Sequence, residues 1–272
     1  MAKSKKIILT AAMSSVLLHL VIFLMYFIPY YVMESDISSQ GLEIYEYVRT
    51  FVSRFLEFSI PAVACAVVYF SDSSQKGGKA VLKCLYVVLG RLVYLLPYYY
   101  LWFMEISGGA DSVEAIIMAS LSSIFDLIFF WAYTVILYVL LRFVAKRIEY
   151  RKALNALTPQ IREKLTKDDT NKLLISAKAK IDAYPEQSGV FDFSNALCAG
   201  LFATAFIQFL VCFVQEAITT VDYLKSYAGN YRAGEILYMI FSFLFIFASM
   251  LLTHMINYKL ATALREKEVE AE

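Results

Sequence analysis

The chain has 272 residues, 60% of them hydrophobic and 16% aromatic. Its 25 Lys+Arg nearly balance 24 Asp+Glu, so no global field favours nucleic acid or a strongly acidic partner, and none is expected. Class has to be read from where the charges fall.

Apolar runs occupy residues 7–33, 51–70, 80–105, 115–141, 193–221 and 236–259. A helix needs roughly 20 apolar residues to cross a hydrocarbon core of about 30 Å, and these runs meet that length. The expected fold class is all-α: a polytopic membrane protein built as a six-transmembrane-helix bundle. The first run follows Lys3, Lys5 and Lys6 like a secretory signal, but it is too long and has no small-residue cleavage site after it, so it is expected to remain as a helix. With the N-terminus inside, the inner segments hold 19 Lys and Arg and the outer loops only Arg49, Lys225 and Arg232. That asymmetry predicts an N-in/C-in protein with both termini cytoplasmic. The chain then divides into spans 1–4 (1–141), a short helical cytosolic loop (142–192), spans 5 and 6 (193–260) and a charged cytosolic tail (261–272).

Span 1 carries His19 near its middle and ends in Pro29-Tyr30-Tyr31. Span 2 opens with Arg54 and Glu57, three apart on one helical face and within reach of each other. Span 3 places Arg91 near mid-depth and ends in Pro97-Tyr98-Tyr99, an echo of span 1. Span 4 has a single charge between residues 115 and 141, Asp126, which falls opposite Glu57 in the same alignment with one residue of slippage. Two readings of this echo stand: an internal duplication of the first two hairpins, or the aromatic belts and acidic outer loops that recur in any membrane protein of this topology. At 1.5 Å of rise per residue, Arg91 and Asp126 fall within one or two turns of each other in depth, which predicts an ion pair across the third and fourth spans.

In the loop, Thr158-Pro159 starts one amphipathic segment with Ile161 and Leu165, and Leu174, Ala177 and Ile181 give a second. Their basic sides suit anionic inner-leaflet lipid. Span 5 brings Ala196, Gly200 and Thr204 onto one face at small-x-x-x-small spacing, a helix-packing surface within the bundle, in a homo-oligomer or against a membrane protein partner. Farther along it come Gln208 and Glu216, and span 6 ends with His254 and Asn257, candidates for a polar inner gate.

Catalytic machinery is not apparent. There is no H-E-x-x-H, G-x-S-x-G or phosphate-binding glycine loop. The two histidines, and four cysteines lying within the spans or at their edges, give no metal-ligand spacing. No enzyme activity, metal or cofactor is expected.

Charges at bilayer depth cost about 2.5–3.5 kcal/mol each on insertion scales, so they usually serve a function or a specific pairing. One reading is a transporter or channel-like protein for a small solute or cation, with Asp126, Arg91, Glu57, Arg54, His19, Gln208 and Glu216 along the path. The alternative is a non-catalytic scaffold or accessory subunit that packs against partner helices and docks through residues 142–192.

Overall fold

The computed structural model describes residues 2–32, 39–71, 77–106, 112–157, 166, 168–173, 189–226 and 233–269. Helices are α1 (Ala2–Val32), α2 (Ser39–Phe70), α3 (Gly77–Val88), α4 (Leu92–Ile106), α5 (Ser112–Asn155), α6 (Ala196–Ser226) and α7 (Ala233–Val269), with a 3-10 turn at Leu89–Arg91 joining α3 to α4. Among the described residues, six helical stretches are long and apolar enough to cross a membrane, α3 and α4 together making one of them. This is compatible with a multi-pass membrane protein.

The surface is inverted relative to a water-soluble bundle. Leu9, Leu17, Phe125, Phe129, Val139 and Phe241 point outward, while His19, Gln208, Glu216, His254 and Asn257 are buried. An apolar exterior around polar interior positions is what a lipid solvent selects.

Several helices outrun their apolar segments. At about 1.5 Å per residue α5 is about 66 Å long, roughly twice the hydrocarbon thickness, and it carries the first part of the 142–192 loop as continuous helix to Asn155. Polar residues beyond the lipid can continue a helix as well as apolar ones within it, so hydropathy marks the span but not the helix end. Thr158, Pro159, Ile161, Leu165, Leu174, Ala177 and Ile181 lie outside the described residues. The helical turn at 168–173 starts from a reciprocal cap. The Thr166 hydroxyl and amide donate to the Asp169 carboxylate at 2.6 and 3.1 Å, and the Asp169 amide donates back to Thr166 Oγ1 at 3.3 Å. Those bonds, led by the hydroxyl's, hold the Asp169 carboxyl below its ordinary range.

Helix α2 is the central element: 62% of its span is buried, against 17–39% for the others. Its sequence explains the position. Ala62, Ala64, Cys65 and Ala66 are all buried, and such small side chains let neighbouring backbones come close where lipid provides no hydrophobic drive between helices. Ala64, Cys65 and Ala66 share one apolar core with Val87 and Val88 of α3, Leu137 and Leu141 of α5, Leu197 and Leu201 of α6, and Ala261 of α7. Trp131 donates its indole N–H to the Val81 carbonyl at 2.9 Å and ties α5 to α3, while Tyr45 donates to the Met25 carbonyl at 2.8 Å and ties α2 to α1.

The backbone departs from the sequence reading of unbroken spans at one place. The third apolar run is not one helix but is broken at Leu89–Arg91. Pro97 and Pro61, by contrast, sit inside α4 and α2, and α1 continues past Pro29 to Val32. The break coincides with Gly90, where α1 passes so close that an added Cβ would sit 2.6 Å from the Val16 nitrogen. Ahead of the shared Pro-Tyr-Tyr the two hairpins differ in backbone: α1 is continuous and its counterpart is interrupted.

Candidate functional site

A cavity of about 370 Å³ lies among α2, α5, α6, α7 and the 3-10 turn, and Arg54, Arg91, Gln208 and Glu216 all line it, with Tyr133 and Ser249. Each comes from a different local cause. Arg91 is the last residue of the 3-10 turn, so the break in the third span aims its side chain where a continuous helix would not. Gln208 and Glu216 are eight residues apart on α6, about two turns on one face. Tyr133 and Ser249 enter from α5 and α7.

Charge pairing in the cavity is uneven. Arg54 Nη1 donates to Glu216 Oε2 at 2.8 Å, with Glu216 the more enclosed partner. Glu216, 162 positions away, is a partner of Arg54 that its own helix does not supply. Tertiary packing brings Arg54 to a nearly buried carboxylate that would otherwise be an orphan charge. The side chain of Glu57 lies outside the described residues.

Arg91 Nη2 lies 3.5 Å from Asp126 Oδ1, and the Tyr99 hydroxyl donates to Asp126 Oδ2 at 3.4 Å. Both contacts are at the long edge of hydrogen bonding. The Arg91 guanidinium lies over the Phe130 ring, 4.2 Å from its centroid, which fixes its plane while leaving its N–H edges to other acceptors. Arg91 Nε and Nη1 are buried without a hydrogen-bond partner among the described residues. Asp126 does not line the cavity; it stands behind Arg91.

His19 is also off the cavity. It is fully buried in α1 and donates from Nδ1 to the Ser15 carbonyl at 2.8 Å, one turn back. Ser15 is the residue packed on Gly90, so His19 supports the wall that carries Arg91.

Along α7 from Ser249 toward Lys259, the next turns close the bundle with polar contacts. Ser59 and Thr253 hydroxyls meet at 2.8 Å, and Asn257 Nδ2 donates to the Ala62 carbonyl at 3.3 Å. Beyond them His254 Nε2 donates to the Val190 carbonyl at 2.7 Å, which Cys198 also reaches at 3.0 Å. The His254 ring is bracketed by Phe191, Phe193 and Phe202. The chain entering α6 is thereby pinned across this end of the bundle, and the Asn195 side chain caps the helix by accepting from the Leu197 and Cys198 amides.

The small-residue face of α6 is used inside the chain. Gly200 sits against Leu141 and Ala145 of α5, Ala196 packs with Ala145, and Thr204 turns its hydroxyl to the Leu201 carbonyl. Among the described residues, no group of three His, Cys, Asp or Glu comes together in a metal-binding arrangement.

Sequence reasoning missed Tyr133, Tyr99, Ser249 and Gly90. Tyr99 entered only through the Pro-Tyr-Tyr echo, and Tyr133 and Ser249 carry no charge that would mark them within an apolar run. The one signal was Gly90 directly before a charged residue within an apolar run. No protein-family model, curated protein or solved structure matches the chain.

Proposed function

We propose that the chain is a multi-pass membrane transporter or channel-like protein for a small solute, and that the cavity at Arg91 is its solute site. The observation that carries this reading is the convergence of Arg54, Arg91, Gln208 and Glu216 on one cavity, though they lie far apart in sequence. Asp126 acts from outside the cavity by holding Arg91, and His19 by supporting the Gly90 contact. The Ser59–Thr253, Asn257–Ala62 and His254–Val190 contacts form the closed layers through which a solute has to pass. In the orientation set by the basic residues, those layers face the cytoplasm and the Arg54–Glu216 pair faces outward. The bilayer is the working environment, and the basic helix end at 142–155 faces anionic inner-leaflet lipid. No catalytic step is assigned.

The scaffold reading has less to stand on, because the α6 face that would serve a partner helix is occupied by α5. The two readings separate in liposomes containing purified protein. Solute flux at some pH between about 5 and 8, reduced by Asp126→Asn in protein that still folds, is the expected result. That substitution retains an oxygen facing Arg91 and Tyr99 but removes the charge that positions the guanidinium. A folded wild-type protein that moves no ion or solute across this range ends the transport reading.

A further inference from the structure

We propose that the cavity takes a small organic acid, its carboxylate held by Arg91 and a hydroxyl or amino group of the same molecule donating to Gln208. This rests on the cavity being the solute site and adds the chemical class.

Charge decides against a cation. The lining holds two guanidiniums and one carboxylate, and Glu216 already accepts from Arg54 at 2.8 Å. A hard cation needs several oxygen ligands converging on one point, whereas the remaining charge on this wall is the positive one of Arg91. Its counter-ion, Asp126, reaches only Nη2, at 3.5 Å and from outside the cavity.

Unmet hydrogen bonding points the same way. Among the described residues, Arg91 Nε and Nη1, Tyr133 Oη, Gln208 Oε1 and Ser249 Oγ are buried without partners, and all belong to residues lining this one cavity. Leaving a buried polar group unpaired is costly, and more so for a charged one, so four such residues around one space mark where a polar ligand recovers that cost. Guanidinium N–H groups require an acceptor, and a carboxylate is the one that also supplies charge. The hydroxyls of Tyr133 and Ser249 can donate to it as well. Gln208 Oε1 can only accept, which demands an N–H or O–H on the ligand.

Size and wall chemistry complete the class. Phe130, Val211, Phe245 and Ile246 provide apolar wall for a short carbon skeleton, which chloride or phosphate lacks. A volume of about 370 Å³ is near the lower end of the roughly 300–1,000 Å³ typical of small-molecule pockets.

The test is thermal unfolding of the purified full chain in detergent, followed by tryptophan fluorescence, with L-lactate, L-alanine, lactamide, sodium chloride and phosphate as probes. Lactate or alanine is expected to stabilise the protein at concentrations about tenfold or more below those needed for lactamide, the value of a charge-assisted hydrogen bond. Which of the two acts distinguishes a hydroxy acid from an amino acid. Arg91→Gln combined with Asp126→Asn keeps this part of the bundle neutral, and in that folded variant the preference for the carboxylate disappears. Tyr133→Phe, which leaves every ion pair intact, weakens binding by several-fold. Equal stabilisation by lactamide, equal effect of chloride or phosphate, no response to either acid, or an undiminished response in the double variant each overturns the proposal. If the acids fail while wild-type protein carries another solute into liposomes, only the chemical class is wrong. If nothing is carried, the transport reading falls with it.

Discussion

Arg91→Gln, with Asp126 left in place, lowers the unfolding free energy by about 3 kcal/mol, and adding Asp126→Asn restores most of it. The first substitution strands a carboxylate within a membrane span with the Tyr99 hydroxyl, 3.4 Å away, as its remaining donor. The second removes the stranded charge. The penalty comes mainly from the orphaned charge, as is usual when one partner of an ion pair at depth is removed. Unfolding in mixed micelles followed by fluorescence reads both, because Trp131 is bonded to α3 beside this pair. Equal stability of the single and double variants would mean that Asp126 is neutral or hydrated, and that the pair does not hold Arg91.

Gly90→Ala costs at least about 1–3 kcal/mol, the range for forcing atoms into a packed interface. The new Cβ would meet the Val16 nitrogen at 2.6 Å and the Ser15 carbonyl carbon at 2.8 Å. Both are backbone atoms of α1 and cannot rotate away, so the helix itself has to move. Gly200→Ala is the internal comparison: its closest neighbour is Leu141 Cδ1 at 2.8 Å, the end of a flexible side chain, followed by the Leu141 carbonyl oxygen at 3.1 Å. The loss is therefore smaller at Gly200 than at Gly90 in the same unfolding assay. Since Gly90 precedes Arg91, Gly90→Ala also shifts the guanidinium and weakens solute binding, which Gly200→Ala does not. The opposite ranking would show that α1 is loosely held and that the 3-10 turn does not depend on it.

How much of this could be read from residues alone depends on the range of the interaction. Span number follows from the length of apolar runs, a local property. The proximity of Arg91 and Asp126 follows from helix rise across one antiparallel connection, which is still nearly local. Arg54 marks where that reasoning stops: its in-helix neighbour Glu57 was visible, but Glu216 becomes its partner only when α6 is laid beside α2. The same limit hid the cavity. Tyr133 and Ser249 are unremarkable in their own helices and gain a role because Arg91 and Gln208 face them. The break in the third run was obscured because its residues are as apolar as a continuous span, and its cause, the approach of α1 at Gly90, lies some 75 positions earlier in the chain. His19 and Asp126 looked like path residues because both are polar at depth, yet neither lines the cavity. Position along a span is legible in a sequence, and the side of the helix that faces the cavity is not.

Cys212 provides the most direct measurement of whether that cavity communicates with water. It is reduced, half-buried and part of the cavity wall, whereas Cys65, Cys84 and Cys198 are fully buried. In folded protein reconstituted into vesicles, a water-soluble, membrane-impermeant maleimide should label Cys212, and Cys212→Ala should abolish the labelling. A protein that remains unlabelled while folded, and reacts only once denatured, has a cavity sealed from water and no solute site at Arg91.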